Sequence, residues 1–143
     1  MTQKEMKERT KEYAKRVIKL CRALPDGPEN RRVSDQLFRA GTSVGANYRA
    51  ACRARSKADF ISKLGIVLEE ADESLYWLEI LTETRQVNPS LVDSLIKEGN
   101  ELVSILVSIQ GSRPFLNLSI NTLKYYRLSI SSKPSGNWES SGS

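Results

Sequence analysis

Apolar residues recur three and four positions apart in four long segments of the chain, which is the spacing of one face of an α-helix. Breaks rich in proline, glycine and asparagine separate these segments. The pattern predicts an all-α protein, an up-down antiparallel four-helix bundle. The four helices are predicted over residues 3–24, 31–55, 57–85 and 89–110.

Capping signals mark where three of the helices begin. Ser56, with Asp59 three residues later, is a start resembling a capping box, and Asn88 precedes a proline that suits the first helical position. The second helix follows the stretch PDGPEN, in which Asp26 or Asn30 is the expected cap.

The apolar stripes predict the core. The stripes of the first and second helices comprise Met6, Tyr13, Val17, Leu20, Cys21, Leu24, Val33, Leu37, Ala40, Val44, Tyr48 and Ala51. Those of the third and fourth comprise Phe60, Leu64, Val67, Leu68, Ala71, Leu75, Leu78, Thr82, Val92, Leu95, Leu102, Leu106 and Ile109. Gly41 and Gly45 interrupt the second helix at a cost of about 1 kcal/mol each. We expect them to allow another helix to approach closely.

The character of the sequence changes after Gly111. Residues 1–112 are the predicted bundle domain and residues 113–143 a C-terminal tail. The last thirteen residues, 131–143, are small and polar, so the tail is predicted to be partly disordered. The apolar stretch 115–130 has no clear period and suits a strand, a docking arm or a helical return equally well.

Composition narrows the chemistry. Histidine is absent, which excludes Ser-His-Asp and Cys-His nucleophiles and zinc sites of the Cys/His type. We therefore expect no enzyme, no metal and no cofactor. Cys21 and Cys52 are predicted to lie too far apart for a disulfide and to pack as small apolar side chains. No stretch approaches a membrane span, and the charged N-terminus lacks a signal sequence, so a cytoplasmic protein is expected.

Charge is segregated along the chain. Residues 1–24 carry 8 basic and 3 acidic side chains, a net charge of +5, and residues 30–58 carry 7 and 1, a net charge of +6. Residues 59–85 carry 2 and 7, a net charge of −5. The first helical hairpin is therefore strongly basic and the third helix strongly acidic.

Clustered cations on the first two helices predict contact with the phosphates of RNA or DNA. The candidate residues are Lys11, Lys15, Arg31, Arg32, Arg39, Arg49, Arg53, Arg55 and Lys57. This face lacks the aromatic interleaving that is typical of single-strand stacking platforms. The alternative is a protein–protein interaction module, in which the segregated charges serve assembly.

The third helix has apolar residues on a second side, which predicts a homo-oligomer interface. The candidate residues are Ile66, Glu70, Glu73, Trp77 and Ile80. A monomer would leave the Trp77 indole in water, and the acidic third helix of one copy could meet the basic second helix of another. A contact between unlike surfaces can close into a ring.

Residues 5–110 resemble the bacterial four-helix bundle proteins of the 23S rRNA intervening-sequence family. The most specific run is residues 41–81, preceded by the entry into the second helix. The matching positions are Gln36, Leu37, Arg39, Ala40, Ser43, Val44, Asn47, Arg55, Asp59, Phe60 and Glu73.

This resemblance implies an up-down four-helix bundle that assembles as a ring of five copies, encoded within ribosomal RNA genes or alone. A related branch includes the accessory protein of diversity-generating retroelements, which binds a reverse transcriptase and nucleic acid through a basic surface. The expected partners are thus further copies of the chain, RNA or DNA, and a reverse transcriptase. No catalytic residues and no membrane partner are implied.

Overall fold

The computed structural model describes residues 1–84 and 86–111, which form four α-helices joined by short connections. The helices are α1 (Gln3–Ala23), α2 (Pro28–Ala51), α3 (Lys57–Glu83) and α4 (Pro89–Gln110). α1 packs against α2 and α4, and α3 packs against the same two helices from the other side. The predicted all-α four-helix bundle is confirmed. The predicted tail, residues 113–143, lies outside the described residues.

Side-chain caps fix the starts of three helices. The Thr2 hydroxyl accepts from the Glu5 amide at 3.1 Å, and the Glu5 carboxylate accepts from the Thr2 amide at 2.6 Å, which completes a capping box at α1. The predicted caps of α3 and α4 are confirmed. The Ser56 hydroxyl accepts from the Asp59 amide at 3.1 Å, and the Asn88 side chain accepts from the Ser90 amide at 3.1 Å.

The start of α2 differs from the prediction. α2 begins at Pro28, three residues before the predicted start, and Gly27 occupies the cap position without a side-chain hydrogen bond. Neither Asp26 nor Asn30 caps the helix. Pro28 suits the first helical position, because the N–H that proline lacks would have no partner within the helix. Asn30 instead donates its side-chain amide to the Pro25 carbonyl at 2.9 Å.

α2 also ends earlier than predicted, at Ala51 rather than at residue 55. After Ala51 the chain tightens, and the Ala54 amide donates to the Ala51 carbonyl three residues back, at 2.9 Å. Arg53 and Arg55 therefore belong to the connection between α2 and α3, and Lys57 is the first residue of α3.

The core runs the length of the bundle and includes a polar link between α1 and α3. The buried Tyr13 hydroxyl on α1 lies 2.8 Å from the buried Ser74 hydroxyl on α3, which itself donates to the Ala71 carbonyl at 2.7 Å. Burial raises the pKa of Tyr13 to about 12. Thr82, predicted as core, is only partly buried, whereas Leu81 is fully buried, because α3 packs on both α2 and α4 and so buries a wider arc.

The two glycines of α2 lie where α1 approaches most closely. A Cβ atom at Gly41 would stand 2.8 Å from Val17 Cγ2, and one at Gly45 would stand 3.2 Å from Thr10 Oγ1. Val17 and Thr10 are both completely buried. The predicted close packing at Gly41 and Gly45 is confirmed, and it joins the two basic helices.

We predict that Gly41→Ala lowers the free energy of unfolding by about 1 kcal/mol. Overpacking against the stiff, buried Val17 side chain costs about 1–3 kcal/mol, and replacing a helical glycine returns about 1 kcal/mol. Gly65→Ala is the matched control, because a Cβ there meets nothing nearer than Gln110 Nε2 at 3.9 Å. It should stabilise by about 0.5–1 kcal/mol. Urea unfolding measures both, and equal stabilisation by the two variants would contradict the close approach.

Candidate nucleic-acid interface

The outer sides of α1 and α2 form one continuous surface, because the helices are antiparallel and meet at Gly41 and Gly45. With 24 residues, α2 extends this surface for about 36 Å. Most of the predicted nucleic-acid residues lie on it or at its end. We define the basic surface as Lys11, Lys15, Arg31, Arg32, Arg49, Arg53, Arg55 and Lys57, all of which are exposed.

The basic surface is densest at one end of the bundle. The N-terminal half of α1 lies beside the C-terminal half of α2, since Thr10 contacts Gly45. Lys11 and Arg49 therefore lie in the same half of the bundle, and the α2–α3 connection adds Arg53 at that end. Arg31 and Arg32 lie in the first turns of α2, at the other end, so the structure separates the predicted site residues into two groups.

Few cations of the basic surface have a counter-charge. Lys15 Nζ lies 2.9 Å from Glu12 Oε2, and Arg31 Nη1 lies 4.0 Å from Asp26 Oδ1. Both pairs are exposed, and such pairs contribute about 0–1 kcal/mol. Across residues 1–84 and 86–111, no ion pair involves the remaining six members, which are Lys11, Arg32, Arg49, Arg53, Arg55 and Lys57.

Arg39 was predicted to bind nucleic acid, but its side chain forms ion pairs within the chain. Its guanidinium reaches α3, where Nη1 lies 3.1 Å from Glu70 Oε2 and Nη2 lies 2.5 Å from Glu73 Oε1. The hydrogen bond from Arg39 lowers the pKa of the Glu73 carboxyl. Glu70 and Glu73, predicted for an oligomer interface, are thus engaged within the chain, as is Arg39.

The second apolar side of α3 is less exposed than the sequence suggested. Trp77 is partly buried against the core, and its indole N–H donates to Glu73 Oε1 at 3.4 Å. The Tyr76 ring meets the Trp77 ring edge-on at a centroid distance of 5.0 Å. Ile80 is also partly buried, and only Ile66 stands well into solvent, at 47% exposure. The expectation that Trp77 would lie in water is wrong, because its indole packs against the core and hydrogen-bonds to Glu73, which pairs with Arg39 of α2.

Phe38 is the residue that the sequence analysis missed. Its ring is 48% exposed on the outer side of α2. It stands seven residues after Arg31 and eleven before Arg49, so the three positions lie within about 20° of one line along the helix. The face still lacks repeated aromatic interleaving, but it carries one exposed ring among its cations. The spacing of seven and eleven residues between Arg31, Phe38 and Arg49 indicates from the sequence that Phe38 lies on the basic side of α2.

Two carboxylates outside the Arg39 cluster join α1 to α4. Arg9 on α1 pairs with Glu98 on α4, with Nε–Oε1 at 2.6 Å, and also with Glu101. On α3, burial raises the pKa of the Asp72 carboxyl. Within the described part of the chain, the His, Cys, Asp and Glu side chains form no group that could hold a metal ion.

Two further features bear on the expectations from sequence. Cys21 and Cys52 are free thiols, both partly buried against the core, and burial raises the pKa of the Cys21 thiol. Among the helices that the structure describes, none is long and apolar enough to cross a membrane.

Comparisons with known proteins agree with this architecture. Residues 2–108 match the family model of the 23S rRNA-intervening sequence proteins. The chain is also similar to a crystal structure from Bacteroides thetaiotaomicron, described as a protein of unknown function from the S23 ribosomal protein family. The two are 38% identical with a TM-score of 0.70 over 75% of this chain and 99% of that one. No curated protein matches. The match over most of its length establishes that the chain belongs to the 23S rRNA-intervening sequence protein family.

Proposed function

We propose that this protein binds nucleic acid through the basic surface of α1 and α2, without catalysing a reaction, and that it acts as a homo-oligomeric accessory or scaffold protein. The observation that carries the proposal is the set of exposed cations without counter-charges, on a surface about 36 Å long. Glu70 and Glu73 of α3 are already paired with Arg39. Most cations of the basic surface belong to no ion pair within residues 1–84 and 86–111 and can attract an external polyanion.

Phosphate is the group that best matches this surface. Exposed guanidinium and ammonium groups bind phosphates independently of sequence, and each contact releases counterions condensed on the nucleic acid. Such binding is weak at physiological salt, with dissociation constants of about 10⁻⁴–10⁻⁶ M. We therefore expect sequence-tolerant binding with a strong dependence on salt.

The names of the relatives favour RNA as the ligand. The family takes its name from the intervening sequences of 23S rRNA, and the Bacteroides protein is assigned to a ribosomal protein family. A reverse transcriptase partner, implied by the resemblance to retroelement accessory proteins, stays a prediction. The alternative function, a protein–protein interaction module, would leave the basic surface without nucleic acid.

The homo-oligomer part of the proposal depends on the outer side of α3. Ile66 and Tyr76 are 47% and 53% exposed, and Trp77 and Ile80 lie partly buried between them and the core. Burying apolar side chains of this size stabilises an interface by about 1.5–3 kcal/mol each. Because Glu70 and Glu73 are paired with Arg39, apolar contact rather than free charge would supply the affinity. The five-copy ring stays a prediction.

We predict that the double variant Arg49→Ala and Arg53→Ala weakens binding to all RNA and DNA sequences alike. Each lost phosphate contact should reduce the slope of log affinity against log salt by about 1, so the slope should fall by about 2. Fluorescence anisotropy of labelled oligonucleotides across a salt series measures both quantities.

Lys97→Ala is the matched control for these substitutions. Lys97 is exposed on α4, away from the basic surface, and belongs to no ion pair within residues 1–84 and 86–111. Its removal should leave the slope unchanged. If the double variant behaves like Lys97→Ala, the basic surface is not the contact. If the unmodified protein binds nothing even at low salt, the protein-interaction alternative is favoured.

We predict that Ile66→Glu dissociates the homo-oligomer while leaving the helices formed, because Ile66 is half exposed and contributes little to the core. Leu91→Glu places the same charge on a 60% exposed leucine of α4 and should leave the assembly intact. Light scattering and circular dichroism at micromolar concentration measure the two properties. A monomeric unmodified protein would refute the oligomer.

A further inference from the structure

Phe38 gives the basic surface a feature that phosphate binding does not require. An exposed phenylalanine gains nothing from a phosphate, and its ring, 48% exposed, is among the most solvent-accessible large apolar side chains of the described residues. A single exposed apolar residue is common on protein surfaces. What distinguishes Phe38 is its position between unpaired or weakly paired cations on the same side of α2.

The placement follows from helix geometry. Arg31 lies about 10 Å before Phe38 along the α2 axis and Arg49 about 16 Å after it, at 1.5 Å per residue. All three point to the same side within about 20°. Gly45 stands seven residues after Phe38 and so points within about 20° of it, towards α1, whereas Arg39 turns towards α3. Phe38 therefore stands at the edge of the α1–α2 seam, with its ring 48% exposed.

We propose that Phe38 stacks on an unpaired base, so that the basic surface selects single-stranded over double-stranded nucleic acid. This inference rests on the proposed function and names its ligand class. A strand lying along α2 would meet a guanidinium on either side of the ring, and its phosphates would complement the positive charge of residues 30–58. Aromatic rings bind exposed base faces in this way with little preference for sequence.

A duplex does not offer the same contact. Its base faces are stacked on one another, and exposing one costs a few kcal/mol. Phe38 therefore adds affinity for a single strand and none for a duplex, while the cations add affinity for both. The selectivity comes from a neutral side chain, so it should persist when salt weakens the phosphate contacts.

The test compares a single-stranded DNA of about 12 nucleotides with its abasic analogue and with the matching duplex, by fluorescence anisotropy at one salt concentration. Phe38→Ala should weaken binding of the normal single strand about tenfold, which is about 1.4 kcal/mol. It should not change binding of the abasic strand or the duplex. Removing the ring, the base or both thus forms a double-mutant cycle that measures the contact between them. Phe38→Tyr should retain the selectivity.

Leu91→Ala is the matched control, because Leu91 is a 60% exposed apolar residue on α4, outside both the basic surface and the proposed oligomer surface. It should leave all three affinities unchanged. If Phe38→Ala weakens all three ligands equally or none of them, or instead dissociates the oligomer in light scattering, the stacking inference is wrong. In that case, the proposed function still stands if the double variant Arg49→Ala and Arg53→Ala weakens binding. If the unmodified protein binds none of the three, both proposals fail.

Discussion

The close approach of α1 to α2 at Gly41 and Gly45 is the constraint on which the rest of the structure depends. It brings together two helices of the same charge, which electrostatics alone would keep apart. Two unit charges about 10 Å apart in water repel by about 0.4 kcal/mol, and salt screens most of that. Burying one valine or leucine side chain gains about 1.5–3 kcal/mol. Packing along the seam therefore exceeds the repulsion, and the bundle holds a basic surface that it cannot neutralise from its own α1 and α2.

Four carboxylates of α3 and α4 do not cancel this surface, because they pair with arginines outside it. Glu70 and Glu73 bind Arg39 across the α2–α3 seam, and Glu98 and Glu101 bind Arg9 across the α1–α4 seam. These pairs align neighbouring helices in register. Within residues 1–84 and 86–111, six of the eight cations of the basic surface belong to no ion pair, so the charge asymmetry that is visible in the sequence becomes a spatial asymmetry of the bundle.

The sequence sufficed for the four helices and for most of the core, because both depend on the local spacing of apolar residues. Pairing across helices was less predictable. Arg39 and Arg49 look alike in the sequence, and only the register of α2 against α3 decides that Arg39 meets two carboxylates. Trp77 was assigned to the wrong environment for the same reason. Phe38 is one aromatic residue among the polar and basic residues of that side of α2, so the spacing of apolar residues does not single it out.

The two proposed surfaces lie on different seams, and that separation affects how the protein would bind a long strand. Ile66 stands on the outer side of α3, whereas Phe38 stands beside the α1–α2 seam, with Arg39 and its carboxylates between them. Contact between copies through α3 would therefore leave each basic surface accessible. One surface binds weakly, but linked surfaces that engage the same strand can raise the overall affinity 10²–10⁴-fold without any new contact. In the proposed oligomer, the fold needs only a modest affinity per copy, which explains how a surface with a few arginines and one exposed ring can suffice.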